Sequence, residues 1–334
     1  MDAKSLVKEM TSYKPNSFKV VYLDQKCWIE IAKIYYGKPS QQERQLIEKL
    51  FKASENSQVI FPLSILHLEE TMRISDTKRK SQLASLMIKL SKGYSFQPYY
   101  AANIRAEIFN VILKKLGIPP INIRNYVLKQ GISNLIGAKP ELIQKKGAES
   151  SELPEDLKKK LLYVLESLET MEFALKQGPI KSIEQSNKDT VKTMEKIRHE
   201  LLGIKDNNLR RRVFLARNLM ATVIPELAKI LFENNLPKDF IIKENPTRKD
   251  IEEFLDNIPT ALCLFTLIFR RDQQLQRPIQ VNDFSDINFL TLALPYSDIV
   301  VTENMWVSIV RDSKLDRKCN TIILSSISEL AKYL

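Results

Sequence analysis

The chain has 334 residues, of which 44% are hydrophobic, and it carries a formal net charge of +11. This length and composition allow one large domain or two ordinary ones with a sizeable core. With two histidines, three widely spaced cysteines and no C-x-x-C pair, a zinc site is not expected. We expect the cysteines to stay reduced in a cytosol.

Two further classes are disfavoured by the apolar pattern. The stretch MDAKSLVKEM lacks the apolar region of a secretory signal. The longest apolar run, Ala261 to Phe269, is far shorter than the roughly 20 residues that a membrane span needs. We therefore expect a cytoplasmic protein with no membrane partner.

The positive charge is concentrated in the middle of the chain. Residues 101–250 contain 27 Lys and Arg against 19 Asp and Glu, whereas the remainder contains 24 against 21. A solvated surface explains such an excess as well as a polyanionic partner does. Both interpretations stay open at this point.

Taken in order, the first part of the chain reads as an α/β unit. The predicted elements are a strand from Phe18 to Leu23, helices from Trp28 to Tyr35 and from Gln41 to Ala53, a strand from Val59 to Phe61, and a helix that begins after Ser64. The first strand is a compact apolar run that is typical of a buried parallel sheet. Ser64 has the residue type and position of a helix N-cap.

From Thr77 to about Arg271 the pattern is almost wholly helical, with a kink expected at Pro225. Strand signals return only after Asn282, at residues 299–302 and 321–324, and a closing helix follows. A sheet of two or three strands is a poor independent unit. We therefore expect one discontinuous domain, residues 18–75 plus 280–334, interrupted by a mostly helical insertion of residues 76–279.

Acidic residues stand at the ends of the predicted elements near both ends of the chain. They are Asp24, Glu69, Glu70, Asp283, Asp286, Asp298 and Glu303. Parallel sheets bind ligands outside the carboxyl ends of their strands. Clustered carboxylates repel one another unless a cation lies among them, and oxygen ligands favour Mg²⁺ or Mn²⁺. Such ions bind phosphates and activate water.

These segments resemble a known family. The residues that carry the likeness are Val20-Val-Tyr-Leu-Asp24, Ser64-x-x-His67-x-x-Glu70, Asp286, and Pro295-Tyr-Ser-Asp298-Ile-Val-Val-Thr302-Glu303. Together they resemble a PIN-domain (PilT N-terminus) protein, of the larger bacterial type with a helical insertion. The likeness covers roughly residues 18–75 and 280–334. It implies an α/β/α sandwich with a small parallel sheet.

The resemblance also implies an activity and its residues. PIN domains are Mg²⁺- or Mn²⁺-dependent nucleases that most often cut single-stranded RNA, and many bacterial members are toxins or antiviral defence effectors. Asp24, Glu70 and Asp286 match the first three acids of the metal and catalytic site. Glu303 stands where the family usually has an Asp, so either Glu303 or Asp298 completes the site.

Four further residues have supporting roles in this prediction, whereas Glu69 has none. Thr302 matches the Thr of the family's T-D motif. Ser64 is expected to cap its helix, and His67 to pack and orient the helix of Glu70. Asp283 is expected to favour the start of its own helix, and Glu69 to be a solvated neighbour.

In the insertion, Arg210, Arg211 and Arg217 cluster near the start of one predicted helix, and we expect them to bind phosphates without reading sequence. The resemblance therefore implies an endoribonuclease, with RNA favoured over DNA as the substrate and DNA left open. A toxin of this kind would have an antitoxin or operon partner, and a homo-oligomer is also allowed. Two alternatives remain: a catalytically inactive PIN-like assembly or regulatory protein, and a helical interaction protein.

Overall fold

The computed structural model describes residues 18–98, 100–137, 155–178 and 181–334. The polar stretch of residues 1–17 lies outside this range. The strands are β1 Lys19–Leu23, β2 Val59–Ile60, β3 Tyr94–Phe96, β4 Leu128–Gln130, β5 Ile299–Val301 and β6 Ile322–Leu324. All three cysteines are free thiols.

Helices make up most of the described structure. In the first half they are α1 Gln25–Tyr36, α2 Gln41–Glu55, α3 Ile65–Met72, α4 Thr77–Ser91, α5 Tyr100–Lys115, α6 Ile123–Val127, α7 Ile132–Ile136, α8 Glu155–Leu165 and α9 Leu168–Leu175. In the second half they are α10 Lys181–Leu202, α11 Asn207–Asn218, α12 Ile224–Glu233, α13 Arg248–Asp256, α14 Pro259–Asp272, α15 Val281–Ala293, α16 Asn304–Asp312, α17 Leu315–Cys319 and α18 Ile327–Leu330. Across the described ranges, none of these helices is long and apolar enough to cross a bilayer.

A parallel sheet joins the two ends of the chain. Its strand order is β2-β1-β5-β6, and each neighbouring pair within the described residues is parallel. Leu23 pairs with Val301, which in turn pairs with Leu324. The protein is thus a mixed α/β structure with a small parallel sheet, as the apolar strand patterns predict.

Helices cover both faces of this sheet, because alternate strand residues point in opposite directions. Tyr22 and Val300 belong to one buried cluster, and Leu23 and Val301 to the other. Helices α5 and α11 to α16 pack in the first cluster, whereas α1, α2, α4 and α9 pack in the second. Residues of the predicted insertion therefore share both cores with the strands: Phe265 of α14 lies in the cluster of Tyr22.

Two short strands were not predicted from the sequence. β3 and β4 pair antiparallel. The backbone of Leu63 forms two hydrogen bonds with β3: Leu63 N donates to Tyr94 O (2.9 Å), and Phe96 N donates to Leu63 O (2.8 Å). These two strands are exceptions to the almost wholly helical pattern expected from Thr77 onward. The sequences of β3, YSF, and β4, LKQ, lack the continuous apolar run that identified the equally short β5 and β6.

A π-helical turn, Leu219–Val223, lies directly before α12, beside the Pro225 at which a kink was predicted. Proline lacks an N–H, so it cannot close the regular helical bond to the carbonyl four residues earlier. The wider turn joins α11 to α12 across this interruption.

A carboxylate is buried between the helices on one side of the sheet. Glu107 of α5 accepts hydrogen bonds from the Thr260 hydroxyl (2.6 Å), from Thr260 N (3.1 Å) and from the Tyr296 hydroxyl. Burial raises the pKa of Glu107 to about 8, and these hydrogen bonds only partly offset the effect. Glu107 thus ties α5 to α14 and to the turn before β5.

This raised pKa makes stability depend on pH. The folded protein keeps the Glu107 proton above its ordinary pKa of 4.5, so the stabilisation is full below that value and is lost as pH rises through about 8. Glu107→Gln mimics the protonated acid. We expect its urea midpoint to fall less than that of the wild type between pH 5.5 and pH 8.5. The exposed Glu48→Gln is the control, and equal pH slopes in all three proteins would contradict the assignment.

Candidate active site

The site begins at Asp24, the first residue after β1. Its backbone N–H extends the sheet by donating to Val301 O (3.1 Å), and its Oδ1 accepts from Cys27 N (2.9 Å) as the N-cap of α1. The residue is only 6% exposed. Burial raises the pKa of Asp24, with a further contribution from Glu303, while Lys26 lowers it. Asp24 is thus fixed at the carboxyl edge of the sheet.

Thr302 and Glu303 follow β5 at the same edge. Thr302 N donates to Leu324 O (3.0 Å), and the buried Thr302 Oγ1 has no hydrogen-bond partner among the described residues. Glu303 precedes α16, and its exposed carboxylate lies 4.0 Å from Lys26 Nζ. A buried hydroxyl without a partner is costly unless a ligand or a water molecule satisfies it.

A histidine fixes α3 against the end of β1. His67 Nδ1 accepts from Ser64 N (3.0 Å), and Nε2 lies 2.8 Å from Leu23 O. Since a backbone N–H can only donate and a carbonyl only accept, Nε2 carries the proton and Nδ1 does not. Burial lowers the pKa of His67 to about 3, so the ring stays neutral. His67 is thus packed between β1 and the start of α3, and both of its nitrogens are occupied.

Glu70 lies one helical turn after His67 and thereby reaches the same edge. Burial raises the pKa of Glu70 to about 7, with further increases from Asp24, Glu69 and Glu303 that Arg73 partly offsets. Ser64, the N-cap of this helix, contacts the Tyr22 hydroxyl (2.7 Å).

Asp286 approaches from α15. Its Oδ2 accepts from Trp306 Nε1 (2.8 Å), which connects α15 to α16. Burial raises the pKa of Asp286 to about 7, the Trp306 bond lowers it, and Glu70, Glu303 and Asp24 raise it further. Asp286 therefore feels the charge of every other acid at this edge.

Four separate segments thus supply one electrostatically coupled cluster, which we call the acidic edge: Asp24, Glu70, Asp286 and Glu303. Each of the first three has its pKa raised by burial and then by other members. Their side chains offer only oxygen atoms, the donor type that Mg²⁺ and Mn²⁺ prefer. Among the described residues, no three His, Cys, Asp or Glu side chains are close enough together to form a direct metal-binding group.

Asp298 does not belong to this cluster, so its assignment to the catalytic and metal site is corrected here. It precedes β5 and accepts from Val20 N (2.6 Å) and from both terminal nitrogens of Arg124 (2.6 and 3.2 Å). The strand places about 13 Å of extended chain between Asp298 and Thr302. Asp298 is thus part of an ion pair at the opposite edge of the sheet.

Asp283 does not belong to the acidic edge either. It is fully buried in an ion pair with Arg271 (2.7 Å), and it also contacts Arg277 (3.1 Å) and accepts from Gln280 N (2.8 Å). Asp283 thereby favours the start of α15, which agrees with the structural interpretation made from the sequence.

The predicted phosphate-binding arginines have different surroundings. Arg210 donates to Ile204 O from Nε (3.0 Å) and Nη2 (2.7 Å), and Arg217 pairs with Glu200 (2.8 Å). Both are therefore engaged by the chain itself. Arg211 is exposed and lines a cavity instead.

Tyr22 and Trp306 support the acidic edge, although neither was given a site role from the sequence. Tyr22 stacks between His67 (5.1 Å) and Phe289 of α15 (5.3 Å), and burial raises its pKa. It lies two positions before Asp24, on the same strand face, which is a usable signal. Trp306 follows Glu303 by three positions, one helical turn away, which is a second signal.

The chain was compared with protein-family models, with curated proteins and with solved structures, and none of these matches it.

Substitution of the two aspartates of α15 should affect stability to very different extents. Asp283→Asn leaves the buried Arg271 without a counter-charge, so we expect a loss of about 3–5 kcal/mol in the free energy of unfolding. Asp286→Asn keeps an acceptor for Trp306 and removes repulsion, so we expect no loss at pH 8. Urea denaturation of both variants measures this. Equal losses would show that Asp286 is a structural residue like Asp283.

The hydrogen bonds of His67 to Ser64 N and Leu23 O should contribute strongly to stability. His67→Ala leaves Ser64 N and Leu23 O without partners in the interior, which should cost about 2–4 kcal/mol. His199 is exposed on α10, so His199→Ala is the matched control and should change stability little. Chemical denaturation compares the two variants. A small effect of His67→Ala would mean that water replaces the imidazole.

Proposed function

We propose that this protein is a metal-dependent PIN-like nuclease that hydrolyses phosphodiester bonds, with single-stranded RNA as the favoured substrate. The observation that carries the proposal is the mutual coupling of Asp24, Glu70, Asp286 and Glu303 at the carboxyl edge of a parallel sheet. Carboxylates that raise one another's pKa are unfavourable for folding alone. Perturbed acids in such a crevice indicate a functional site.

The residues of the acidic edge fit a hard divalent cation. Mg²⁺ commonly retains several water molecules and binds only one or two carboxylates directly. The lack of a direct group of three ligands in the described chain is compatible with such binding. Asp24, Glu70, Asp286 and Glu303 would hold the ion. When bound, it supplies charge for the phosphate and for the leaving oxygen.

The surrounding side chains have definite tasks in this proposal. Cys27 N holds the carboxylate of Asp24, and Trp306 holds that of Asp286. Neutral His67 fixes the helix that presents Glu70, and it has no free nitrogen with which to take a proton. The unpartnered hydroxyl of Thr302 is a candidate hydrogen-bond donor at the same edge. A cytoplasmic toxin or defence effector, with an antitoxin or operon partner, is the setting that the PIN resemblance favours.

A second candidate is a catalytically inactive PIN-like protein that assembles with nucleic acid or a protein partner. The contact between Glu303 and Lys26 favours it, because this lysine supplies a positive charge beside the acids. An intrinsic cation of this kind reduces the need for a metal ion. The two candidates differ in whether cleavage occurs.

Cleavage of labelled single-stranded RNA and DNA in Mn²⁺, Mg²⁺ or EDTA tests the proposal. Asp24→Asn and Glu70→Gln should each lower metal-dependent cleavage by about 100-fold or more, since even indirect metal contacts contribute 10- to 100-fold. Glu69→Gln changes the neighbouring acid in the same way and should retain activity. Asp298→Asn should act through stability and leave the folded enzyme active.

Cleavage that survives Asp24→Asn and Glu70→Gln would refute the assignment of these acids. Cleavage that is unchanged by EDTA would refute the metal. If no substrate is cut, Mn²⁺ binding measured by calorimetry separates the candidates. Binding lost in Asp24→Asn keeps the metal site, and no binding favours the inactive fold.

A further inference from the structure

A cavity of about 460 Å³ lies between α11, α13, α14 and the corner that joins α16 to α17. Its apolar side is formed by Leu215, Leu262, Phe265 and Phe269. This volume lies within the range of small-molecule sites, about 300–1,000 Å³. The cavity is therefore large enough for a ligand.

The acids around this cavity are already neutralised. Glu252 accepts from Arg248 Nε (2.8 Å), and Asp256 pairs with Lys318 (2.5 Å). Neither carboxylate thus offers an unpaired negative charge to a ligand. The net charge that the cavity presents is decided by its remaining cations.

Those cations are Arg211 of α11 and Arg270 of α14, both exposed residues that line the cavity. Neither side chain forms a hydrogen bond or ion pair with any residue that the structure describes. Their neighbours Arg210 and Arg271, by contrast, are held by the chain. Two guanidinium groups are therefore available to an anion, and phosphate is the anion whose geometry they match well.

Neutral polar groups complete the lining: Asn207, Asn208, Thr266, Gln273 and Ser313. A simple fatty acid would bury these groups without forming hydrogen bonds to them, which is unfavourable. Inorganic phosphate would leave the apolar side unused. A ligand that has a flat hydrogen-bonding ring and a phosphate satisfies all three parts of the lining.

We propose that this cavity binds a mononucleotide, with the phosphate at Arg211 and Arg270 and the base against the apolar side. The site is separate from the acidic edge. Glu303 precedes α16 and Ser313 follows it, so the whole helix, about 14 Å long, lies between them. The inference does not depend on the nuclease activity.

Isothermal titration of the full chain with AMP and UMP tests this assignment. The buffer contains EDTA, so that no metal-mediated binding occurs at the acidic edge. Arg211→Glu and Arg270→Glu should each weaken binding about tenfold or more, the effect of one charge-assisted hydrogen bond. Arg212→Glu makes the same charge change at an exposed neighbour outside the cavity and should change affinity much less.

A substitution that keeps the charge separates the cavity from general electrostatic attraction. Thr266→Trp fills the space and should abolish binding, with circular dichroism confirming that the fold is kept. Glu70→Gln should leave nucleotide binding unchanged, which distinguishes this site from the acidic edge.

Several results would overturn the proposal. They are no heat of binding for either nucleotide at millimolar concentration, equal losses in Arg211→Glu and Arg212→Glu, or retained affinity in folded Thr266→Trp. Inorganic phosphate or decanoate that binds as tightly as AMP would refute the nucleotide class. If the wild-type protein binds AMP but has no nuclease activity, only the function proposed for the acidic edge is refuted.

Discussion

The pairing of β1 with β5 is the contact on which the rest of the structure depends. It brings Leu23 beside Val301 and so places Asp24 next to Thr302 and Glu303, although most of the chain separates them in sequence. The cost of closing a long loop grows only slowly with its length. A large insertion is therefore compatible with this pairing, and its helices offset the cost by burying apolar surface against both faces of the sheet.

Carboxylates of the same type have opposite roles in this fold because their neighbours differ. Asp283 and Asp298 are each matched by an arginine, and both hold elements together. Asp24 and Asp286 are held only by neutral donors, and other acids raise their pKa values. The first arrangement stabilises the folded chain. The second arrangement leaves charge repulsion at one edge of the sheet, which lowers the stability of the fold. Such repulsion is typical of ligand-binding sites.

Some of the fold and of the site could be predicted, and the limits have physical causes. β1 and β5 were predicted because a buried parallel strand is a continuous apolar run. β3 was missed because its three residues carry no period. Asp298 was kept as an alternative to Glu303 because Glu303 stands where the PIN resemblance expects an Asp. The strand predicted between Asp298 and Glu303 already implied that the two residues lie at opposite edges of the sheet. This error could therefore have been avoided from the sequence.

The sequence by itself determined that the chain forms α/β structure and that acids stand where strands end. Both follow from local patterns of apolar and charged residues. Only the tertiary structure decided which acids meet and which are neutralised, since Arg124 lies 174 positions from Asp298. It also decided that Arg210 is occupied whereas Arg211 faces a cavity. Burial and charge pairing arise from contacts between distant segments, and a local pattern carries no information about them.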